Sequence, residues 1–220
     1  MSPILVSGLI NIETTLRIDA FPIHYTPVRY PFQGINVTVS GVGFNIAKAL
    51  TVLGDPIRFL SIIGRDAADY QVRAALAAEG IPDTYILNSM SQTARSVILY
   101  DEAGRRQIHV DLKDIQEQAY PLDTFEQAID GCDLVSLCNI NFSRPMLERA
   151  RQAGKLIATD VHTLYDLYDA YNRDFMRDAD ILFMSDEALP TTLEDWARQV
   201  RQAYGTEIVA IGLGAKGVVN

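Results

Sequence analysis

Asn11 and Glu13 follow the first apolar run of the chain, with one residue between them. In an extended chain, side chains two apart project on the same side. Such a pair suits vicinal hydroxyls, because a carboxylate accepts from two hydroxyl groups while an amide both donates and accepts. A polar loop after a strand is the plainer interpretation of these two residues taken alone. Further on, residues 40–54, SGVGFNIAKALTVLG, form a glycine-rich turn running into a short helix. Gly41 and Gly43 are expected to adopt backbone angles closed to other residues and to let a ligand approach the main chain. Asn45 then falls in the first helical turn, where amide hydrogens are free and its side-chain amide can reach the same ligand. Ile46, Leu50 and Leu53 recur at i, i+4 and i+7 as the expected buried stripe, with Gly54 as the stop. A dinucleotide fingerprint needs a third glycine where Ile46 stands, which argues against that motif and against a dinucleotide oxidoreductase.

Holding these residues in place requires a strand ahead of Asn11 and a sheet for the helix to cover. Residues 4–8 are an apolar run ending in glycine, as in a buried first strand. Between 14 and 39, Pro22, Pro27 and Pro31 stand among aromatic and β-branched residues and indicate short or edge strands and loops. Residues 57–63 read as another strand, and Asp66 is placed to cap a helix with Val72 and Leu76 inward and Gly80 as its end. Residues 96–100 and 107–110 flank Asp101-Glu102-Ala103-Gly104 as a hairpin. From 133 onward the chain alternates regularly, with strands at 134–138, 156–159, 181–184 and 208–211. Helices are expected at 144–153, around 164–177 and at 193–204, the last with Thr192 as N-cap and Trp196 and Val200 inward. This alternation predicts an α/β fold, a mostly parallel sheet with helices on both faces. The two β-rich pieces, about 14–39 and 94–111, are expected to pair into a small separate sheet. Placed beyond the carboxyl ends of the strands, it would be a lid that excludes water from a reacting centre.

A net charge of -9 with no compensating basic run argues against nucleic acid as a partner. No apolar run is long enough to cross a bilayer, and Met1-Ser2-Pro3 lacks the charged start of a signal peptide, so no membrane partner and a cytoplasmic location are expected. Cys132 and Cys138 lie around one apolar segment and are expected to be reduced core residues. Their spacing suits no zinc site, and His24, His109 and His162 are scattered, so no structural metal is expected.

The stretch 40–54 resembles the first signature of the ribokinase-like (PfkB-type) sugar and nucleoside kinases. That signature is a glycine pair, three variable residues, then Asn and a helix ending in Leu-Gly. Here Ser40 replaces the first glycine, and Val42 sits where a basic residue is common. The resemblance covers essentially the whole chain, in order. Asn11-Ile12-Glu13 matches the Asn-x-Asp that holds the sugar, with Glu13 one methylene longer. Residues 62–66 match a strand ending in Gly-x-Asp, and 93–111 match the second lid segment. Asp160-Val161-His162 stands where many members have Asp-Pro-Asn. Residues 179–189 occupy the place of a strand followed by Asn-x-x-Glu, which helps organise magnesium and phosphate. Ser185 and Ala188 fall on that Asn and Glu, with Asp186 and Glu187 as the available carboxylates. Helix capping is an equal alternative to a role near phosphate or metal for Asp160, and the plainer reading for Ser185 or Asp186. Residues 208–219 resemble the strand and glycine turn that contact the nucleotide, with Gly214 and Gly217 as its glycines and Gly212 in place of a Thr.

The resemblance implies a three-layer ribokinase-like α/β domain over residues 1–220 with a β-sheet lid. It implies ATP and Mg2+ as cofactors and γ-phosphoryl transfer to a hydroxyl of a small sugar. The alternatives are a nucleoside acceptor, with Phe21, Tyr25, Tyr30 and Phe32 stacking on a base, and a non-catalytic ligand-binding relative. Asn11, Glu13, Gly41, Gly43 and Asn45 are assigned to the acceptor, and Gly214, Gly217, Asp186 and Glu187 to the nucleotide. No metal ligands are assigned. The family's Asp-Thr-x-Gly-Ala-Gly-Asp motif supplies the general base and amides at a helix N-terminus. It does not occur in residues 1–220. No catalytic base is therefore named, a truncated sequence is expected, and these residues alone are expected to be inactive. The exposed edges of a β lid point to a homodimer.

Overall fold

Runs such as ILVS and IRFLSIIG have no polar alternation and suit strands covered on both faces. The computed structural model, which describes residues 2–220, builds its main sheet from them. The first half contains β1 (Ile4–Ser7), β2 (Asn11–Arg17), β3 (Ile35–Ser40), α1 (Val42–Leu53), β4 (Ile57–Gly64), α2 (Ala68–Ala78), β5 (Tyr85–Met90), β6 (Arg95–Tyr100) and β7 (Arg106–Asp111). The second half contains α3 (Leu122–Ile129), β8 (Leu134–Leu137), α4 (Arg144–Gln152), β9 (Leu156–Asp160), α5 (Arg173–Asp178), β10 (Ile181–Ser185), α6 (Leu193–Tyr204), β11 (Ile208–Gly212) and β12 (Val218–Val219).

The main sheet has the order β12-β11-β10-β9-β8-β1-β4-β5 and is parallel apart from β12. One face carries α1 and α2, whose Phe44, Ala47, Val72 and Leu76 pack with Val6, Phe59 and Ile63 of the sheet. The other face carries α3 to α6, whose Phe125, Met146, Phe175 and Trp196 join Leu5, Leu60, Val135 and Leu182 in the larger core. This is the expected three-layer α/β arrangement. Cys132 and Cys138 are free and buried within it. None of the helices among the described residues is long and apolar enough to cross a membrane.

The two β-rich pieces do form a separate sheet, in the order β3-β2-β6-β7. It takes in Asn11 and so begins ahead of residue 14, which makes Asn11 and Glu13 part of this small sheet. The hairpin between β6 and β7 is closed by Asp101, whose carboxylate accepts from the backbone and the guanidinium of Arg105.

Two expectations change. The buried residues of α1 are Gly43, Phe44 and Ala47, while Leu53 is 76% exposed. Small residues at 43 and 47 let the helix lie close to the sheet, which turns the Leu53 position outward. The expected helix around 164–177 is reduced to α5. Ahead of it, Asp166 accepts from the Tyr168 amide and Asp169 from the Asn172 amide. Such local side-chain bonds compete with helix formation.

The second crossing into the lid is pinned where β4 ends. A Cβ on Gly64 would lie 2.3 Å from the Thr93 nitrogen, so only glycine allows this approach. Thr93 is fully buried, and its hydroxyl accepts from the Gly64 amide and donates to Asp66 at 2.8 Å. Burial pushes the Asp66 carboxyl up, but the hydrogen bonds from Thr93 and the Ala68 amide, with Arg95 nearby, leave it below the ordinary aspartate value of 3.8. The N-cap position of α2 is Ala67 rather than the expected Asp66, whose carboxylate is tied instead to the lid root through Thr93. A carboxyl lowered on folding stabilises above its unfolded pKa and loses that contribution as pH falls through the folded one. Asp66→Asn is therefore expected to lower stability at pH 7 by about 1–2 kcal/mol. That deficit should shrink as pH falls below 3.8. Denaturant midpoints across pH check it, and a pH-independent deficit would contradict the charge argument.

Candidate functional site

The acceptor side starts where β1 ends. β1 is flanked by β4 on one side and β8 on the other, so the chain order reverses beside it. In open α/β sheets the crevice for ligands lies at the carboxyl ends of the strands around such a reversal. Beyond Ser7 the chain passes through Gly8 and enters the lid at Asn11.

The start of α1 sits directly on this crossing. A Cβ on Gly43 would lie 2.5 Å from the Gly8 carbonyl carbon, and one on Gly8 would lie 2.5 Å from the Cys138 sulfur. Gly43 is thus helical, and its missing side chain serves a backbone-to-backbone contact rather than an unusual angle. Gly41 does need its freedom, with φ at 113° and the Leu9 oxygen 2.4 Å from where a Cβ would be. The Phe44 amide donates to the Leu9 carbonyl at 3.3 Å, which ties helix and crossing together. Burial first, and then the negative charge of Asp160, push the Cys138 thiol up to about 12. Cys138 is therefore a protonated packing residue, not a nucleophile.

Asn11 is 4% exposed and its amide donates to the Ser96 hydroxyl at 2.7 Å. Its Oδ1 is buried with no hydrogen-bond partner among the described residues. Ser40 lies opposite Asn11 across β2 and β3, and Thr38 lies opposite Glu13. The exposed Asn45 reaches back to Ser40 Oγ at 3.5 Å. Asn11, Asn45 and the free end of α1 are thereby gathered at the lid root, with half-buried Glu13 next along the same face of β2. Ser96, from a segment far away in sequence, completes the group, and only strand register could have revealed it.

The residues expected to face the nucleotide fall beyond neighbouring strands farther along the edge. Ser185 and Gly212 are in register across β10 and β11, and the Asp186 amide donates to the Gly212 carbonyl at 3.0 Å. Asp186, Glu187, Gly214 and Gly217 are exposed, and a Cβ on either glycine would meet nothing within 4 Å. Capping by Ser185 or Asp186 is overturned, because no helix starts there. Ser185 Oγ instead accepts from the Glu187 amide, and α6 begins at Leu193 with Thr192 as its cap. Asp160 caps no helix either; it accepts from the His162 amide at 2.8 Å at the end of β9. Four strand steps separate β1 from β11, so the two groups lie about 19 Å apart along the same edge.

Between them lies a network with no signal in the sequence. Arg144 lies over the rings of Tyr171 and Phe175, bonds Asp174 at 3.2 Å and donates to the Tyr171 carbonyl. Tyr171 OH in turn donates to the Asn139 carbonyl. This pins the irregular segment ahead of α5 against the end of β8.

The family pattern described as pfkB family carbohydrate kinase matches residues 1–219. The chain is 25% identical to an ATP-dependent ribose-1-phosphate kinase of Halopiger xanaduensis, over 99% of this chain and 73% of the relative. Among solved structures it is similar to a microbiome-derived acarbose kinase, with 26% identity and a TM-score of 0.84 over 99% of this chain and 72% of the other. A ribokinase from Thermotoga maritima shares the fold, with 24% identity and a TM-score of 0.72 over 100% of this chain and 75% of the other.

The geometry of the crossing has a direct consequence. Gly43→Ala must force two backbones apart, and the expected loss of stability is about 1–3 kcal/mol. Chemical denaturation measures it, and an unchanged midpoint would show that α1 and the crossing separate freely.

Proposed function

The chain belongs to the pfkB family of carbohydrate kinases, and we propose that it serves ATP-dependent phosphorylation of a hydroxyl on a small sugar. In this reading it holds the acceptor at the lid root. The observation that carries it is Asn11 Oδ1. A buried acceptor without a partner costs roughly 1–3 kcal/mol. A donating sugar hydroxyl would remove that cost. Glu13 can accept from two neighbouring hydroxyls, and Asn45 with the first amides of α1 can bind the group carried beside them. The lid strands would cover the acceptor and keep water out.

The nucleotide end fits ATP in its chemistry. Space is open over Gly214 and Gly217, and two carboxylates stand on the neighbouring strand end. ATP, when bound, supplies the transferred γ-phosphoryl group. The described residues contain no group of three or more His, Cys, Asp or Glu able to hold a metal ion. Mg2+ commonly binds through substrate phosphates, waters and one or two carboxylates. Asp186 and Glu187 are the carboxylates offered here. We assign no general base to this chain and propose that residues 1–220 bind the acceptor without transferring phosphate by themselves. Free, buried Cys132 and Cys138 support a cytoplasmic setting.

A sugar is favoured over a nucleoside on two grounds. The relatives at 25% and 26% identity both carry carbohydrate names. The lid aromatics Tyr30 and Phe32 lie beyond the far end of β2, about 20 Å from Asn11, too far to stack on a base held there. A thermal-shift and calorimetry panel of ribose, glucose, adenosine, inosine and ATP tests this. A sugar and ATP are expected to bind, and Asn11→Ala to weaken the sugar by about tenfold. Full sugar affinity in that variant would move the acceptor elsewhere, and binding of nucleosides alone would favour the nucleoside alternative.

For the homodimer, Ile35 and Val37 of β3 and Val97 of β6 lie exposed on the lid face opposite Asn11. That apolar face supports pairing with a second copy. Sedimentation should show a dimer that Val37→Lys dissociates, and an unaltered distribution would sink this contact.

A further inference from the structure

We propose that the acceptor is a saccharide of several rings, lying along the lid from Asn11 to an aromatic cleft at the lid tip. This deepens the sugar-kinase reading and rests on it.

The first observation is a continuous row of hydrogen-bonding side chains. The β2–β3 register runs without a shift and pairs Asn11 with Ser40, Glu13 with Thr38 and Thr15 with Asn36. Directly opposed residues share a face, and residues two apart stay on it. Arg17, the last residue of β2, continues the same row. From Asn11 to Arg17 the row is about 20 Å long, at about 3.4 Å per residue. One monosaccharide at Asn11 leaves the far half of it without a use.

The second observation lies on the other side of β2, on the same lid face. Ser96 is level with Glu13 and Ile98 with Thr15, while Val110 and Ile108 lie opposite them on β7. Ile108 and Val110 are exposed. The face therefore carries hydroxyl-binding groups on β2 and β3 and the exposed apolar side chains of Ile108 and Val110 on β7. A pyranose ring has the matching character, with hydroxyls around its edge and an apolar C–H face.

The third observation is the end of the row. A cleft of about 360 Å³ is lined by Arg17, Asp19, Arg29, Tyr30 and Phe32, among others. Tyr30 and Phe32 are stacked, with ring centroids 6.2 Å apart, and are 75% and 82% exposed. Arg29 is ion-paired with Asp19 beside them. Aromatic faces next to charged hydrogen-bonding groups can hold a sugar ring by its face and its edge. The net charge of -9 makes a nucleic acid a poor occupant of this cleft.

The test is calorimetry on the full 220-residue chain. The probes are ribose, glucose and linear glucose oligomers of two to four rings, in both the α-1,4 and β-1,4 series. Affinity in one series is expected to rise by about tenfold or more from one ring to four. Tyr30→Ala with Phe32→Ala should abolish that rise and leave monosaccharide binding unchanged, and Asn11→Ala should weaken every member. Both aromatics are exposed, so the double variant should keep its thermal midpoint, and that midpoint is measured alongside. Affinity independent of ring number overturns the proposal, as does a length dependence that survives the double substitution. If the double substitution changes only the oligomeric state, the cleft is a subunit contact and the proposal fails. Binding of ribose or glucose with no gain from oligomers overturns the extended acceptor alone. Failure of every sugar removes the sugar-kinase reading with it.

Discussion

The contact between Gly8 and Gly43 is the constraint on which the rest of the site depends. Two stretches of main chain cross with no side chain between them, and Cys138 closes the third side. This brings the first turn of α1 over the end of β1, where the sheet order reverses. It also forces the outgoing chain to leave the main sheet at once, so that Asn11 already belongs to the lid. The glycine-rich stretch therefore acts mainly as a packing device. In the proposed reading, ligand recognition falls to its neighbours, Asn11, Glu13 and Asn45, whose positions that packing sets.

The lid has two faces of different character, and the alternation in β2 and β3 produces both. Ile12 and Val39 lie on one face and pack into the smaller core with Phe44, which anchors the root. On the other face the polar partners of Asn11 and Glu13 continue outward. Beyond the root the lid has little buried surface, and every residue of β7 is exposed. Few buried contacts place such an element at the low-stability end of a structure. Its position is set at two places, the Gly8 crossing and the Thr93–Asp66 root. Beyond those places and the packing of Ile12 and Val39 on the smaller core, strand pairing carries it.

Much of this was legible because it follows local rules. Thr192 with Asp195 gave a true cap, and the 101–104 turn gave a true hairpin with a carboxylate closing it. The two β-rich pieces stood out because they interrupt an α/β rhythm. What was hidden depends on contacts across long sequence separations. Asn11 meets Ser96 over 85 residues, and nothing local announces that pairing. Leu53 fits the apolar period of α1, yet the small residues at 43 and 47 decide which side of the helix is buried. Residues 164–172 carry helical spacing, but Asp166 and Asp169 bond their own backbone and stop the helix from forming. The residue types at Ser185 and Asp186 suggest a helix cap that does not exist, because α6 starts farther on.

The two halves of the site differ in how they are built. Around Asn11 the supporting strands are packed on both faces, and the crossing is held by contacts too close to loosen without breaking the core. At the other end, β10 has Phe183 45% exposed on the face that α1 and α2 do not reach. Asp186, Glu187, Gly214 and Gly217 lie on exposed turns beyond β10 and β11. Preorganised groups bind with little further ordering, while groups on exposed turns must be fixed when the ligand arrives. In the proposed reading, Asn11 therefore sits among groups that the fold preorganises, whereas Asp186, Glu187, Gly214 and Gly217 lie on exposed turns that are ordered as the nucleotide binds.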